Sequence, residues 1–97
     1  TVMFTPVEQA LGKALLSRLG VVLGPEDSVS VTSDTAVETL HGRGWHVSHV
    51  DGYDPAQGGT PLYRVHAVSA DGKTEQTGEG STLREAFLRA TLEVLAA

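Results

Sequence analysis

Apolar residues recur at helical spacing in three segments of the chain and alternate with polar residues in three others. Helix 1 is predicted over about residues 6–19, because its apolar positions recur three and four residues apart. Thr5 and Glu8 have the spacing of a capping box, and Pro6 suits the first helical position. Gly20 supplies a stop signal at the other end.

Residues 21–32 allow two interpretations. Two valines near the end of this segment alternate with polar residues, which is typical of a short edge strand. The glycine and proline before them indicate a turn in an irregular connection instead. Helix 2 is predicted next, over about residues 34–42, with its cap at Ser33-Asp34. A helix this short needs tertiary packing to persist.

The clearest alternation begins at a tryptophan and predicts the first strand over residues 45–50. Side chains in a strand point to opposite faces in turn. One face is therefore expected to hold Trp45, Val47 and His49, and the other His46, Ser48 and Val50. Residues 51–61 are rich in Gly, Pro and Asp and are expected to form a long, mobile loop.

The second and third strands are predicted over residues 62–69 and 73–79. Asp71-Gly72 between them is typical of a two-residue hairpin turn, in which both residues tolerate a positive φ. The third strand is polar on both faces, so we expect it at an edge of the sheet. The pattern Gly78-x-Gly80 lacks the spacing of a nucleotide-binding loop and is interpreted as a turn.

Thr82 and Glu85 form a second capping-box pattern and predict helix 3 over about residues 83–96. Its buried side is expected to consist of Leu83, Ala86, Phe87, Ala90, Val94 and Leu95. Residues 1–97 are thus predicted to form a single α+β domain of order α-α-β-β-β-α, with the core α-β-β-β-α unit over about 33–97. We expect a three-stranded antiparallel sheet with helices 3 and 1 on one face and helix 2 at an end.

The amino-acid composition excludes some classes of site and disfavours some classes of partner. The absence of Cys excludes disulfides and cysteine metal sites. With 7 basic and 12 acidic residues the net charge is −5, which disfavours non-specific binding to nucleic acid. No apolar run approaches the roughly 18 residues that a membrane span needs, so no membrane partner is expected. These features favour a cytoplasmic protein, inside the host cell if its origin is a phage.

The four histidines are candidate ligands for a metal ion. His46 and His49 are expected on opposite faces of their strand, where they cannot share one ion. His49 and His66 could meet across paired strands, but the carboxylates of Asp51 and Asp54 are expected in a mobile loop. The sequence therefore predicts neither a metal nor a cofactor.

No strained nucleophile turn accompanies the Ser, His and Asp residues, so no catalytic residue is assigned and an enzyme is not expected. Six residues are candidates for contact with a partner: Tyr53, Asp51, Asp54, Trp45, Glu75 and Glu79. An exposed Tyr in a loop is a suitable anchor, and Trp is enriched at interfaces. The alternatives are a flexible connector for the loop, a core position for Trp45, and a solvated edge for the glutamates.

Several short motifs, which together cover about 60 residues, occur in an order that a known family shares. They are Ser33-Asp34, residues 36–40, Gly44-Trp45-His46-Val47-Ser48, Tyr63-Arg64-Val65, Ser81-Thr82-Leu83-Arg84-Glu85-Ala86 and Arg89-Ala90-Thr91-Leu92. These motifs resemble the phage ABA sandwich domain family, which has a helix, a Gly-Trp entry to a strand, a sheet and a closing helix. The resemblance implies a bacteriophage or prophage origin and supplies no activity.

The order of strands, Asp-Gly hairpin and final helix is also similar to the double-stranded-RNA-binding domain. That family grips phosphate with a Lys-rich start to its last helix. The corresponding positions here hold Thr82, Leu83, Arg84 and Glu85. Only Arg84 is basic, and Glu85 would oppose phosphate, so this second resemblance implies a shared topology without the activity.

The small acidic format and the phage-like motifs favour a protein-interaction module that acts on a host protein, for example an anti-CRISPR or other anti-defence factor. The alternative is a nucleic-acid-binding domain of the double-stranded-RNA type. The expected partner is another protein, from host or phage, and a homodimer is left open.

Overall fold

The computed structural model describes residues 3–53, 56 and 58–96. Its elements are α1 (Pro6–Arg18), α2 (Ser33–Gly42), β1 (His46–Asp51), β2 (Tyr63–Val68), β3 (Glu75–Gly80) and α3 (Leu83–Ala96). The strands form one antiparallel sheet of order β1-β2-β3. The α+β class and the order α-α-β-β-β-α predicted from the sequence are confirmed. No helix in the described part of the chain has both the length and the apolar character of a membrane span.

Helix α3 lies at the centre of the packing. One side of it places Ala86 and Ala90 against Val65 of β2. Val94, near its other end, packs with Leu40 of α2 and with the sheet. Both α2 and α3 therefore cover the same face of the sheet. Helix α1 packs mainly on α3 and forms a further layer. The expectation that it lies directly on the sheet beside α3 is wrong.

The other side of α3 is buried too, which the sequence pattern did not predict. Leu88 is fully buried with residues of α1, of α2 and of the connection between them; these are Leu15, Val29, Val31 and Ala36. Leu83, expected in the buried stripe, is 41% exposed. Val29 and Val31 join this core without pairing as a strand, so the irregular interpretation of segment 21–32 is correct.

The N-terminal capping interactions of the three helices agree with the predictions, except for two differences. In α1 the Thr5 hydroxyl accepts from the Glu8 N–H (3.1 Å) and the Glu8 carboxylate accepts from the Thr5 N–H (2.8 Å), which confirms the capping box. The cap of α2 is Thr32, one residue earlier than expected. In α3, Thr82 accepts from the Glu85 N–H, but the Glu85 carboxylate accepts from the Ser81 hydroxyl.

The turn before β3 is longer than the expected two residues. The Ser69 N–H donates to the Thr74 carbonyl (2.9 Å), and the Gly72 N–H donates to the Ser69 carbonyl (2.9 Å). Only Gly72 takes a positive φ, 74°, while Asp71 does not. The Asp71 carboxylate instead accepts from the Ser69 hydroxyl and the Lys73 N–H. A type I turn followed by a left-handed glycine satisfies this geometry.

Gly78 and Gly80 are strand residues and not a turn, because β3 extends to Gly80 and pairs with β2 along its whole length. Both glycines are buried beneath α3. A Cβ atom on Gly78 would lie 2.1 Å from the Ala90 nitrogen, so the absence of a side chain permits the close approach of α3 to the sheet. The polar edge strand predicted from the sequence is confirmed as an edge.

One buried carboxylate joins the starts of α1 and α3. Glu8, with a side chain 3% exposed, accepts a hydrogen bond from the Thr82 hydroxyl (2.9 Å) and lies 3.4 Å from the Arg84 guanidinium. That guanidinium also stacks on Phe4, 3.9 Å from the ring centroid. Burial raises the pKa of Glu8, but the hydrogen bonds from Thr5 and Thr82 and the charge of Arg84 outweigh it and lower the pKa overall.

We expect Glu8→Gln to lower the free energy of unfolding by about 1–2 kcal/mol, because an amide replaces a charge-assisted acceptor. The stabilisation by ionised Glu8 is present above the pKa of an unfolded glutamate, about 4.3, and is lost as pH falls through the lower folded pKa. Urea unfolding at pH 7 and pH 3 measures both effects. The stability difference between variant and parent should shrink at pH 3, whereas Glu38→Gln, an exposed carboxylate on α2, should match the parent at both pH values.

Candidate functional site

A β-bulge in β1 decides which side chains share a face. His46 pairs with Val68 and Val47 with Ala67, but the next pair is His49 with His66. Ser48 is therefore the extra residue, and the alternation of side chains is interrupted there. His46 and His49 consequently lie on the same face. The expectation that they point to opposite sides is wrong.

Residues on the far side of the sheet from the helices form a regular array of three rows. We call this array the open face. Across the three strands its rows are His46, Val68 and Glu75; His49, His66 and Thr77; and Asp51, Arg64 and Glu79. The opposite face of β2 places Val65 and Ala67 in the core, so the helices cover one side and the open face carries the polar side chains.

His66 occupies the centre of the open face and contacts carboxylates from both neighbouring strands. Its Nε2 lies 2.9 Å from Asp51 Oδ2 and its Nδ1 lies 3.1 Å from Glu75 Oε1. The hydrogen bond to Asp51 is the largest cause that raises the pKa of His66, and Glu75 adds to it against the opposing effect of burial. The same hydrogen bond lowers the pKa of Asp51. His66 is thereby held between two carboxylates, with only 12% of its side chain exposed.

His49 stacks on His66, with ring centroids 3.8 Å apart and an angle of 16° between the rings. Its Nδ1 lies 3.1 Å from the Ser48 hydroxyl oxygen, and that hydroxyl donates to the His66 carbonyl at 3.2 Å. Since a hydroxyl has one proton to give, the Ser48 oxygen accepts from His49 Nδ1–H. With the hydroxyl proton directed at the carbonyl, His49 is the Nδ1–H tautomer and its Nε2 keeps a free lone pair.

The side chains of His49, Asp51 and His66 are the one group of three metal-ligating residues within the described residues, with ligand atoms within 4.8 Å of one another. The expectation that no third ligand accompanies the two histidines is wrong, because Asp51 is the last residue of β1 and not part of the loop. Imidazole nitrogens with one carboxylate oxygen are a donor set that divalent first-row transition metals accept.

A serine-protease type arrangement is not formed here. The Ser48 hydroxyl contacts His49, whereas the Asp51 carboxylate contacts His66. A catalytic triad needs the hydroxyl and the carboxylate on the same imidazole. The hydroxyl also gives its proton to a backbone carbonyl, so it has no base to activate it.

An exposed ion pair completes the third row of the open face. The Arg64 Nε donates to Glu79 Oε1 at 2.9 Å, and the two side chains are 42% and 50% exposed. Exposed pairs of this kind add at most about 1 kcal/mol to stability. Its effect here is to orient both side chains over the sheet and to neutralise the single guanidinium of the face.

The structure brings together three of the six residues predicted to contact a partner, namely Asp51, Glu75 and Glu79. Trp45 is half-buried and packs on the cluster of Leu40, Ala67 and Val94, which favours its interpretation as a core residue. Tyr53 is half-buried, and its hydroxyl donates to the Gly59 carbonyl at 3.3 Å within the loop. Asp54 lies outside the described residues.

The histidines and Arg64 of the open face were not among the predicted site residues. A signal for His66 existed, because the alternation over β2 placed it opposite the buried Val65 and Ala67. No comparable local signal existed for the shared face of His46 and His49, because the bulge is defined by the pairing of β1 with β2.

Comparison with protein-family models, with curated proteins and with solved structures finds no match to this chain. The resemblances to the phage ABA sandwich family and to the double-stranded-RNA-binding domain stay predictions based on the motifs above. The support for a function therefore comes from the geometry and the charge of the open face.

Proposed function

We propose that the protein is a small protein-interaction module that binds a basic segment of another protein through the open face. The observation that carries the proposal is the array itself, in which a sheet face that no helix of the described residues covers presents charged and imidazole side chains. A bacteriophage origin with a host protein as target belongs to the same proposal and is supported by the short motifs that resemble the ABA sandwich family.

The charges of the open face favour a basic partner. It holds three carboxylates, those of Asp51, Glu75 and Glu79, against the one guanidinium of Arg64. The whole chain carries a formal charge of −5. Complementary charge speeds encounter and selects among partners more than it adds affinity. An acidic face of this kind attracts lysine- and arginine-rich segments and repels phosphate.

The side chains of the open face are already held in place. Asp51 and Glu75 are fixed through His66, and Glu79 is fixed through Arg64. Ordering a flexible side chain at an interface costs roughly 0.5–1.5 kcal/mol, so an ordered array loses less on binding. Nine side chains cover less than the about 800 Å² per partner of a standard interface. The interface has to extend onto neighbouring segments, and Tyr53, two residues beyond the end of β1, is a candidate.

Binding of double-stranded RNA is not proposed, because the one basic residue at the start of α3 is used internally. The Arg84 guanidinium stacks on Phe4 and pairs with the buried Glu8. Arg89, on the same helix, pairs with Glu85 at 3.1 Å. Both cations are thus already paired with a carboxylate, which opposes their contact with phosphate.

The proposal predicts that neutralising the open face removes a specific partner. Tag-immobilised protein with Glu75→Gln and Glu79→Gln should recover the partner from host lysate at least tenfold less than the parent, which corresponds to about 1.4 kcal/mol. Quantitative mass spectrometry of the captured proteins measures this loss. The matched control is Glu26→Gln with Glu38→Gln, since both carboxylates are exposed elsewhere and the net charge changes equally.

If both double variants lost partner recovery equally, the loss would be a general effect of net charge, and this would contradict a site on the open face. A gel shift with duplex RNA tests the alternative directly. Sub-micromolar binding at about 150 mM salt would replace the proposal, because non-specific binding at physiological salt lies at roughly 10⁻⁴–10⁻⁶ M.

A further inference from the structure

The geometry of the open face points to a binding site for a divalent transition-metal ion, Zn²⁺ or one of similar preference, formed by His49, Asp51 and His66. Their ligand atoms lie within 4.8 Å of one another. The inference stands independently of the proposed interaction, because it concerns the isolated chain and requires no partner protein.

The strand register explains why these three residues converge. His49 and Asp51 are two apart on β1 beyond the bulge, so both project from the same face. His66 is the direct partner of His49 on β2 and is diagonal to Asp51. Directly paired and diagonal side chains are the ones that meet across antiparallel strands. Two ligands from one strand and a third from its neighbour are held by paired backbone, which fixes their spacing before an ion arrives.

The second ring nitrogen of each histidine already has a partner. His66 Nδ1 lies 3.1 Å from the Glu75 carboxylate, and His49 Nδ1–H donates to the Ser48 hydroxyl. Metal-bound histidines usually donate their other N–H to such a group, which fixes the tautomer and orients the ring. Both Nε2 atoms are thus the ones assigned to the ion. This outer set of contacts distinguishes the cluster from histidines that are merely close together.

His66 Nε2 and Asp51 Oδ2 lie 2.9 Å apart and share a hydrogen bond in the metal-free protein. The ion is expected to bind between these two atoms. An ion bound there replaces the shared hydrogen, which leaves as a proton to solvent. The two rings are now nearly parallel, at 16°, and a nitrogen lone pair lies in its ring plane. The more exposed His49 ring therefore has to tilt before both lone pairs reach one ion. Two imidazoles and one carboxylate leave further coordination positions for water.

Isothermal titration of tag-free protein with ZnCl₂ tests the site. We expect saturable binding of one Zn²⁺ per chain, with affinity reduced tenfold or more in each of His49→Gln, Asp51→Asn and His66→Gln. MgCl₂ should give no comparable binding, because Mg²⁺ prefers oxygen ligands in octahedral geometry. The control is His46→Gln, which removes an imidazole from the same face one row away. A second control is His41→Gln, an exposed histidine on α2. Both should bind like the parent.

Circular dichroism of the metal-free variants separates folding from binding, and the exposed His49 and Asp51 keep the test valid if His66→Gln unfolds. In the parent, ¹⁵N spectra of the imidazoles should show Zn²⁺ shifting the Nε2 resonances of His49 and His66 while Nδ1 of His49 stays protonated. Non-saturable binding of Zn²⁺ would refute the site. It would also be refuted if His46→Gln lowered the affinity for Zn²⁺ as much as His49→Gln does.

Discussion

Replacing Gly78 with alanine is expected to lower the free energy of unfolding by about 4 kcal/mol or more, or to prevent folding. A Cβ atom at this position would lie 2.1 Å from the Ala90 nitrogen and 2.5 Å from the Ala86 carbonyl oxygen. Both are backbone atoms of α3, so no side-chain rotation can relieve the overlap. Relief requires α3 to move away from β3 and to open the cluster of Val65, Ala86 and Ala90.

Denaturant unfolding followed by circular dichroism measures this effect. The matched control is Gly42→Ala, at the end of α2, where an added Cβ meets nothing within 4 Å. Its φ is not positive, so alanine should be neutral or stabilise the helix by up to about 1 kcal/mol. If Gly78→Ala unfolded at the same denaturant concentration as the parent, α3 would not lie this close to β3.

Gly78 and Gly80 lie in β3 and not in the turn that the sequence predicts. A polar strand that ends in two spaced glycines before a helix has the same local pattern as a turn. What makes Gly78 and Gly80 strand residues is the pairing of β3 with β2, and the absence of side chains lets α3 lie directly above them. Neither contact is visible in the local pattern. Local patterns were sufficient where the cause is local. The capping box of Thr5 and Glu8 and the extent of α3 were both predicted correctly.

In the candidate site, too, features with a local cause were predicted and the feature that depends on the bulge in β1 was not. Glu75 and Glu79 share a face because their spacing is a multiple of the strand period, so the sequence was enough to pair them. The face of His49 and Asp51 depends on the bulge at Ser48, which exists only in the pairing with β2. A shift of one residue exchanges the two faces of a strand. The conclusion that His46 and His49 lie on opposite faces was therefore wrong, whereas the prediction that His49 and His66 could meet across paired strands is confirmed.

The same reasoning applies to α3, for which one apolar stripe was predicted. A helix packed on a sheet alone needs one buried side, and the predicted stripe includes Ala86 and Ala90, which do pack on β2. Because α1 and α2 pack on α3 from elsewhere, a second side is buried, with Leu88 and Thr91 fully enclosed. The Thr91 hydroxyl satisfies its hydrogen bond with the Phe87 carbonyl (2.8 Å), which lets a polar residue occupy this core.

Leu88→Ala should consequently be among the most damaging substitutions in the chain, at about 2–5 kcal/mol of the free energy of unfolding. Leu88 is fully buried among Leu15, Val29, Val31 and Ala36. Three separate segments converge on it, so they cannot all close the space that the lost isopropyl group leaves. The residual cavity adds to the transfer free energy lost with the buried carbons. Urea unfolding at pH 7 measures the loss as a shift of the midpoint.

Leu83→Ala on the same helix is the matched comparison, because it deletes the same atoms from a position that is 41% exposed. A single buried stripe through Leu83 predicts a large loss for this variant and a small one for Leu88→Ala. Burial of α3 on two sides predicts the reverse, with Leu83→Ala costing about 1 kcal/mol or less, since only part of its apolar area leaves water on folding. The order of the two midpoints alone decides between these packings. Equal midpoints would mean that α1 and its connection to α2 do not enclose Leu88.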